Sequence, residues 1–306
     1  QAVHIVTEGP IGLAMRLLAH GRKLPFTTAY HTQFPEYVKA RSGIPIRFTA
    51  ALLRWFHKPS RAVMVPTLSV IKTLQGRGLN NCVLWQRGVD LKRFNPEQSA
   101  ASKHMSYSPR DLPTDDAQQV ELLHRLNACS IEKPVFLYAG RVAVEKNLDA
   151  FLSLELPGEK WIAGDGPARK ALEKQYPEAK WFGMLNHAAL SELYKRADVF
   201  VFPSMTDTFG LVLLEAMASG CPVAAFPVNG PLDVVGNSGA GVLDWNLKTA
   251  AMAALKIERD VPLKHASTFT WENCAEQFQG YLAPIGLTST APKKLSANPK
   301  PLSNRP

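Results

Sequence analysis

Short apolar runs alternate with stretches of helical periodicity along most of the chain. HIVT, within Ala2–Thr7, reads as a buried strand and is followed by a helix near Pro10–His20. FTTAY is the next strand and ends at His31. A helix over Pro45–His57, strand AVMVPT, a helix over Ser69–Gly76 and strand CVLW complete this first series. Residues 96–133 break the rhythm with a Ser- and Pro-rich stretch of mixed charge, which predicts a linker and surface excursion. The alternation then resumes. Strands are predicted at Val135–Gly140, Trp161–Ala163, Trp181–Phe182, Val199–Pro203, Pro222–Phe226 and Gly241–Leu243. Helices are predicted at Asn147–Leu154, Ala168–Tyr176, Ala188–Arg196, Leu211–Ser219 and Pro231–Val235.

Strands alternating with helices imply parallel sheets joined by right-handed crossovers. The expected fold class is therefore α/β, with two doubly wound domains facing a cleft. Ligands in such sheets bind at the carboxyl ends of strands. The expected boundaries are 1–95 for a first domain, 96–133 for the linker and 134–270 for a second domain. A terminal helix over 271–283 and a disordered tail over 284–306 follow. A length of 306 residues fits about two domains. The chain opens at Gln1, already inside a strand, so about two βαβ units are expected to precede it. The first domain is then incomplete, and this chain alone is expected to be inactive or poorly folded.

Charge changes the picture. The net charge is +9, but residues 1–95 hold fourteen Lys and Arg against three acids, Glu8, Glu36 and Asp90. That surplus of eleven leaves −2 for everything beyond, so an anionic partner is expected for the first part. Nucleic acid, an anionic membrane and a phosphorylated substrate all fit. Cys82, Cys129, Cys221 and Cys274 form no CxxC pair or metal-ligand cluster and read as reduced packing residues of a cytoplasmic protein. No signal peptide or membrane-spanning run is visible.

The segment SMTDTFGLVLLEAMASG, Ser204–Gly220, carries the candidate chemistry. A buried strand ends at Pro203, the loop MTDTFG follows, and a helix is predicted to begin near Phe209. Free N–H groups in a helix's first turn, and the positive end of its dipole, suit a diphosphate. Gly210 allows close backbone approach. Asp207 and Glu215 lie eight residues apart, so the first can meet a sugar and the second a nucleoside. A carboxylate beside a diphosphate is repelled unless it accepts hydrogen bonds from hydroxyls. Locally, the alternative is that Asp207 caps the helix and Glu215 is solvated.

This segment resembles the acid-x7-acid signature of the family 4 retaining glycosyltransferases. Those enzymes have the GT-B fold, two Rossmann-like domains facing a cleft. TDTFGLVLLEA is similar to a bacterial subgroup with mannosyltransferase-like and glycolipid-synthesising members, although the wider family usually has Glu at the position of Asp207. YAGRVAVEKN, Tyr138–Asn147, resembles the family's G-R-x4-K element. The resemblance implies that Arg141 and Lys146 hold the donor diphosphate, with Gly140 before them and Glu145 facing outward. GDGP, Gly164–Pro167, resembles the turn beside the nucleotide pocket, which brings in Gly164 and Gly166. Thr208, Phe209, Gly210, Leu211 and Glu215 complete the implied donor set. HTQFPEY resembles the segment whose histidine, here His31, lies by the sugar ring. Asp207, His31, Arg141 and Lys146 are then the implied catalytic residues. Glu8 and Gly9 sit at a neighbouring strand end. RGVD, Arg87–Asp90, resembles a hinge element with a structural role.

Arg41–Arg61 has five Lys and Arg and no acid, and Phe48, Leu52, Trp55 and Phe56 are expected on one helical face. Such a helix suits an anionic membrane, or else is a core helix with a basic edge. The implied reaction is transfer of a hexosyl group, with retention, from GDP-mannose or a UDP-hexose to a hydroxyl. The expected acceptor is a membrane lipid such as diacylglycerol or a lipid carrier. No metal ion and no other cofactor is expected. The expected location is peripheral, on the cytoplasmic face of the inner membrane. Rival readings are a soluble or sugar-phosphate acceptor, an epimerase of the same fold, and a basic nucleic-acid-binding module.

Overall fold

The computed structural model describes residues 1–31, 35, 38–39, 42–94 and 132–285. The expected linker therefore lies almost wholly outside the described residues, as does the tail beyond 285. The chain divides into two compact units. One comprises Gln1–Trp85 together with the segment from Glu276 onward, and the other is Gln86–Ala275. Helix Trp271–Tyr281 straddles their boundary. The first unit thus draws on both ends of the chain, where the sequence reading set a continuous block over 1–95.

The first unit holds a four-stranded sheet, β1 (Val3–Ile5), β2 (Phe26–Ala29), β3 (Val63–Val65) and β4 (Cys82–Leu84), in that spatial order and all parallel. Helix Pro10–Gly21 connects β1 to β2, with Gly9 at its N-cap and Pro10 in the first turn. Proline is tolerated there because the first-turn N–H groups have no partner inside the helix. Helix Ile46–His57 precedes β3 and packs on two clusters. Leu53 joins Tyr30, Val63, Val65, Val70 and Leu74, and Phe56 joins Ile5, Ala19 and Phe26. Phe56 is 3% exposed. The expected face of four apolar side chains is corrected accordingly. Phe48, Leu52 and Trp55 are solvent-exposed, and Phe56, one turn beyond Leu52, lies at the edge of that face that meets the core. Pro284 and Ile285, assigned from sequence to the tail, pair instead with the start of the chain. Pro284 bridges to Ala2, and Ile285 N donates to the Gln1 carbonyl at 2.8 Å.

The second unit holds six parallel strands, β5 (Val135–Ala139), β6 (Glu159–Ala163), β7 (Lys180–Gly183), β8 (Val199–Phe202), β9 (Val223–Ala225) and β10 (Gly241–Leu243). Their spatial order is β10-β9-β8-β5-β6-β7. Side chains alternate across the sheet as the pleat dictates. Val135, Leu137 and Ala139 enter one cluster with Phe200 and Phe202. Phe136 and Tyr138 enter the other with Val199 and Val201. Both faces are apolar because helices cover both, which is why these strands read as continuous hydrophobic runs. Helices Leu247–Ala254 and Asp260–Ala266 were not anticipated. The first is announced by Asn246, whose side chain accepts from Thr249 N at 3.1 Å, an N-cap before an Ala-rich period. The RGVD turn packs closely on residues 269–271. A Cβ on Gly88 would lie 2.5 Å from the Trp271 nitrogen, and Val89 N donates to the Phe269 carbonyl at 3.0 Å.

Candidate functional site

β5 and β6 are neighbours, and each ends on alanine followed by a glycine, Gly140 or Gly164. Gly140 N donates to the Ala163 carbonyl at 3.0 Å, and Gly164 N to the Gly183 carbonyl at 2.7 Å. Gly164 has φ +127°, and a Cβ there would sit 1.9 Å from the Gly140 carbonyl oxygen. Only glycine fits so close a backbone approach. Gly166 is packed in the same way against the Val142 carbonyl. These turns open a cavity of about 450 Å³ at the carboxyl ends of the strands, lined by Gly140, Arg141, Gly164, Met184, Leu190 and Val212. That is the size of a small-molecule site, mainly apolar with few polar groups, at the place where parallel sheets bind ligands.

Beyond Gly140 the chain forms a 3-10 turn, Val144–Lys146, and then a left-handed residue, Asn147, at φ +55°. The Asn147 amide donates to the Pro203 carbonyl at 3.2 Å. This ties the loop after β5 to the loop after its neighbour β8, and it brings Lys146 to Asp207. Lys146 Nζ donates to both carboxylate oxygens of Asp207, at 2.6 and 2.8 Å, with side chains 23% and 22% exposed. Arg141 faces Glu145 at 3.5 Å, and its carbonyl accepts from the Tyr138 hydroxyl at 2.9 Å. Burial, with the Asp207 and Glu145 carboxylates adding to it, pushes the Tyr138 hydroxyl upward, so it stays a donor.

The donor helix runs Leu211–Ala218 and starts after Gly210, at φ +82°. This start matches the helix predicted over Leu211–Ser219 and leaves Phe209, where the loop reading began it, outside the first turn. The Phe209 side chain is buried in the core, so any contact it makes with a donor is through its backbone. Thr208 and Leu211 flank the helix start, and Leu211 is exposed. Glu215 lies one side of the helix further in and accepts from the Tyr194 hydroxyl at 3.2 Å. Burial raises the Glu215 carboxyl above its ordinary range, against the opposing pull of the Tyr194 hydrogen bond.

Of the residues singled out from sequence, the second unit thus brings Lys146 and Asp207 into contact and sets Gly140, Arg141 and Gly164 around one cavity. His31 belongs to the first unit. It follows β2, half-buried, with its ring 5.9 Å from that of Trp85. Sequence reasoning gave no role to Asn147, Tyr194 or the cavity residues Met184 and Leu190. Asn147 could have been suspected, because Asn tolerates the left-handed conformation that ends a short turn.

Residues 133–260 match the family described as glycosyl transferases group 1, and residues 1–93 match glycosyltransferase family 4. The chain is 32% identical over 243 residues to the sulfoquinovosyl transferase SQD2 of Arabidopsis thaliana, covering 76% of this chain and 44% of that protein. It is 26% identical over 308 aligned positions to a GDP-mannose-dependent alpha-mannosyltransferase of Corynebacterium glutamicum, covering 95% and 69%. The chain therefore spans less than half the length of the first of these relatives. Among solved structures, Anabaena Alr3699/HepE in complex with UDP and glucose superposes with a TM-score of 0.67 at 14% identity, over 90% of this chain and 77% of that one. Both halves match glycosyltransferase families, and both sheets have the parallel α/β architecture of that neighbour. The chain belongs to the family 4 glycosyltransferases and has their GT-B fold.

Proposed function

We propose that this protein transfers a hexosyl group from a nucleoside-diphosphate sugar to a hydroxyl of a membrane lipid, with retention of configuration. The observation that carries the reading is the Lys146–Asp207 pair beside the cavity at the ends of β5 and β6. A cation and a hydroxyl-accepting carboxylate at one point match the junction of a diphosphate and a sugar. Arg141, 53% exposed along its side chain, is free to swing from Glu145 to a phosphate. With Lys146 it offsets charge that builds on the leaving diphosphate. Glu215, held by Tyr194, is a hydrogen-bond acceptor for a ribose hydroxyl. The apolar walls of Met184, Leu190 and Val212 suit the faces of a base. Relatives that use GDP-mannose, and a neighbour solved with UDP and glucose, make both donor types worth testing.

The lipid acceptor rests on the first unit. Phe48, Leu52 and Trp55 fall at i, i+4 and i+7 of helix Ile46–His57 and are 58, 55 and 46% exposed. Arg47, Arg54 and Lys58 accompany them. Such a face is suited to an anionic lipid surface. Among the described residues, no helix is long and apolar enough to cross a membrane.

The test is a donor screen on the full-length protein with GDP-mannose, UDP-glucose and UDP-glucuronate, using total lipid as acceptor. Product anomers are read by NMR. A labelled lipid with the donor's own anomeric configuration is expected. Release of nucleoside diphosphate without transfer to any acceptor would count against the reading, and an inverted product would remove the retention claim. Activity is expected to survive EDTA.

A further inference from the structure

A chain of polar groups in the first unit has no role in the donor chemistry. Ser60 Oγ donates to the His57 carbonyl at 2.7 Å and accepts from Asn81 Nδ2 at 3.2 Å. It also accepts from Thr28 Oγ1 at 3.3 Å. Thr28 Oγ1 also meets His57 Nδ1 at 2.8 Å. The other ring nitrogen, Nε2, meets Glu8 Oε1 at 3.0 Å.

His57, Thr28 and Ser60 are buried, whereas the Glu8 side chain is 28% exposed. Among the described residues, only His57 engages the Glu8 carboxylate, and it does so through Oε1. Ile5 on β1 lies opposite Thr28 on β2, so Glu8 and His31 each stand three residues beyond paired positions, at the same carboxyl edge of the sheet. Resting on the transferase reading above, we infer that Glu8 receives the acceptor's hydroxyl group on Oε2, with His57 as a positioning residue that holds the carboxylate. With Oε1 anchored on a buried ring, Oε2 keeps its lone pairs for a hydroxyl donor. The ligand class is a neutral hydroxyl, and its correct placement requires the buried network to hold Glu8 in one orientation.

Glu8→Gln in the full-length protein is the test. The glutamine amide can donate to or accept from His57 Nε2, so the network and the fold are kept while the carboxylate is lost. The acceptor KM is expected to rise about tenfold, as a charge-assisted hydrogen bond becomes a neutral one. Donor KM and nucleoside-diphosphate affinity are expected to stay within twofold. Glu8→Asp, which keeps the charge and shortens the reach, is expected to raise the same constant by less. An acceptor KM raised less than fivefold in Glu8→Gln, or donor and acceptor constants moving together, overturns the role of Glu8 and leaves the transferase reading intact. A wild-type protein that transfers no sugar to any acceptor overturns both.

Discussion

Replacing Asp207 by Asn separates two roles that the resting site holds together. Lys146 donates to both carboxylate oxygens of Asp207, at 2.6 and 2.8 Å. At an effective dielectric of about 20 the gross attraction of such a pair is roughly 6 kcal/mol. Desolvation and the ordering of two side chains reduce the net value to about 1–3 kcal/mol. Asparagine keeps one hydrogen bond to the ammonium, so about 1 kcal/mol of the competition for Lys146 is released, roughly a fivefold gain for a diphosphate. Removal of a like charge acts in the same direction. Asp207→Asn is therefore expected to bind UDP or GDP about fivefold more tightly, measured by titration calorimetry. Transfer moves the other way. Loss of a charged acceptor for a sugar hydroxyl costs about 1.5–3 kcal/mol, a fall of ~10–100-fold in kcat/KM. Weaker nucleoside-diphosphate binding by the variant would refute the reasoning, because Asp207 would then be supporting phosphate recognition rather than competing with it.

Three other outcomes are expected. Gly164→Ala forces a Cβ to 1.9 Å from a carbonyl oxygen at φ +127°. It should cost about 3 kcal/mol or more and abolish nucleotide binding, seen as a lowered Tm that added UDP or GDP does not restore. Glu215 has a raised carboxyl in the folded state. Its protonated form is favoured there, so stability is full below the ordinary value of 4.5 and is lost as pH rises through the folded value. Glu215→Gln should therefore melt higher than wild type near pH 8, with the difference vanishing near pH 4, while binding nucleotide less well; equal melting at both pH values would contradict this. Arg259 donates to the carbonyls of Ala197, Lys195 and Ser219 at 3.0, 2.6 and 3.3 Å. Arg259→Ala should cost roughly 2–3 kcal/mol in urea unfolding, because buried acceptors lose a charged donor.

The strands were legible because both faces of each sheet are covered, so the apolar runs are continuous and bounded by glycines and prolines. The donor loop was legible through its acids and glycines. What escaped were relations across the sequence. The partner of Lys146 lies 61 residues away, and the partner of His57 lies 49 residues before it. No local pattern encodes either. Helical spacing placed Phe56 with Phe48, Leu52 and Trp55, but apolar clusters occupy its side of the helix, and periodicity alone cannot say which edge of a broad apolar stripe faces inward. Helical periodicity placed the donor helix at Leu211–Ser219, but it carried no sign of the left-handed entry at Gly210. The return of the chain's last described residues to the first unit depends on pairing between its two ends, at Ala2 and Pro284.

The loops after β5 and β8 are joined through Asn147 and Pro203 as well as through Lys146 and Asp207. Gly140 and Arg141 of the first of these loops also line the cavity, but its apolar walls come from elsewhere, at Met184, Leu190 and Val212. On the proposed reading, sugar and base are thereby read at separate addresses along one sheet. A lineage could exchange residues 204–210 to try a new sugar without rebuilding the grip on the nucleoside, and could resize the hydrophobic wall without disturbing the sugar. Donor choice in such a protein evolves as two nearly independent traits.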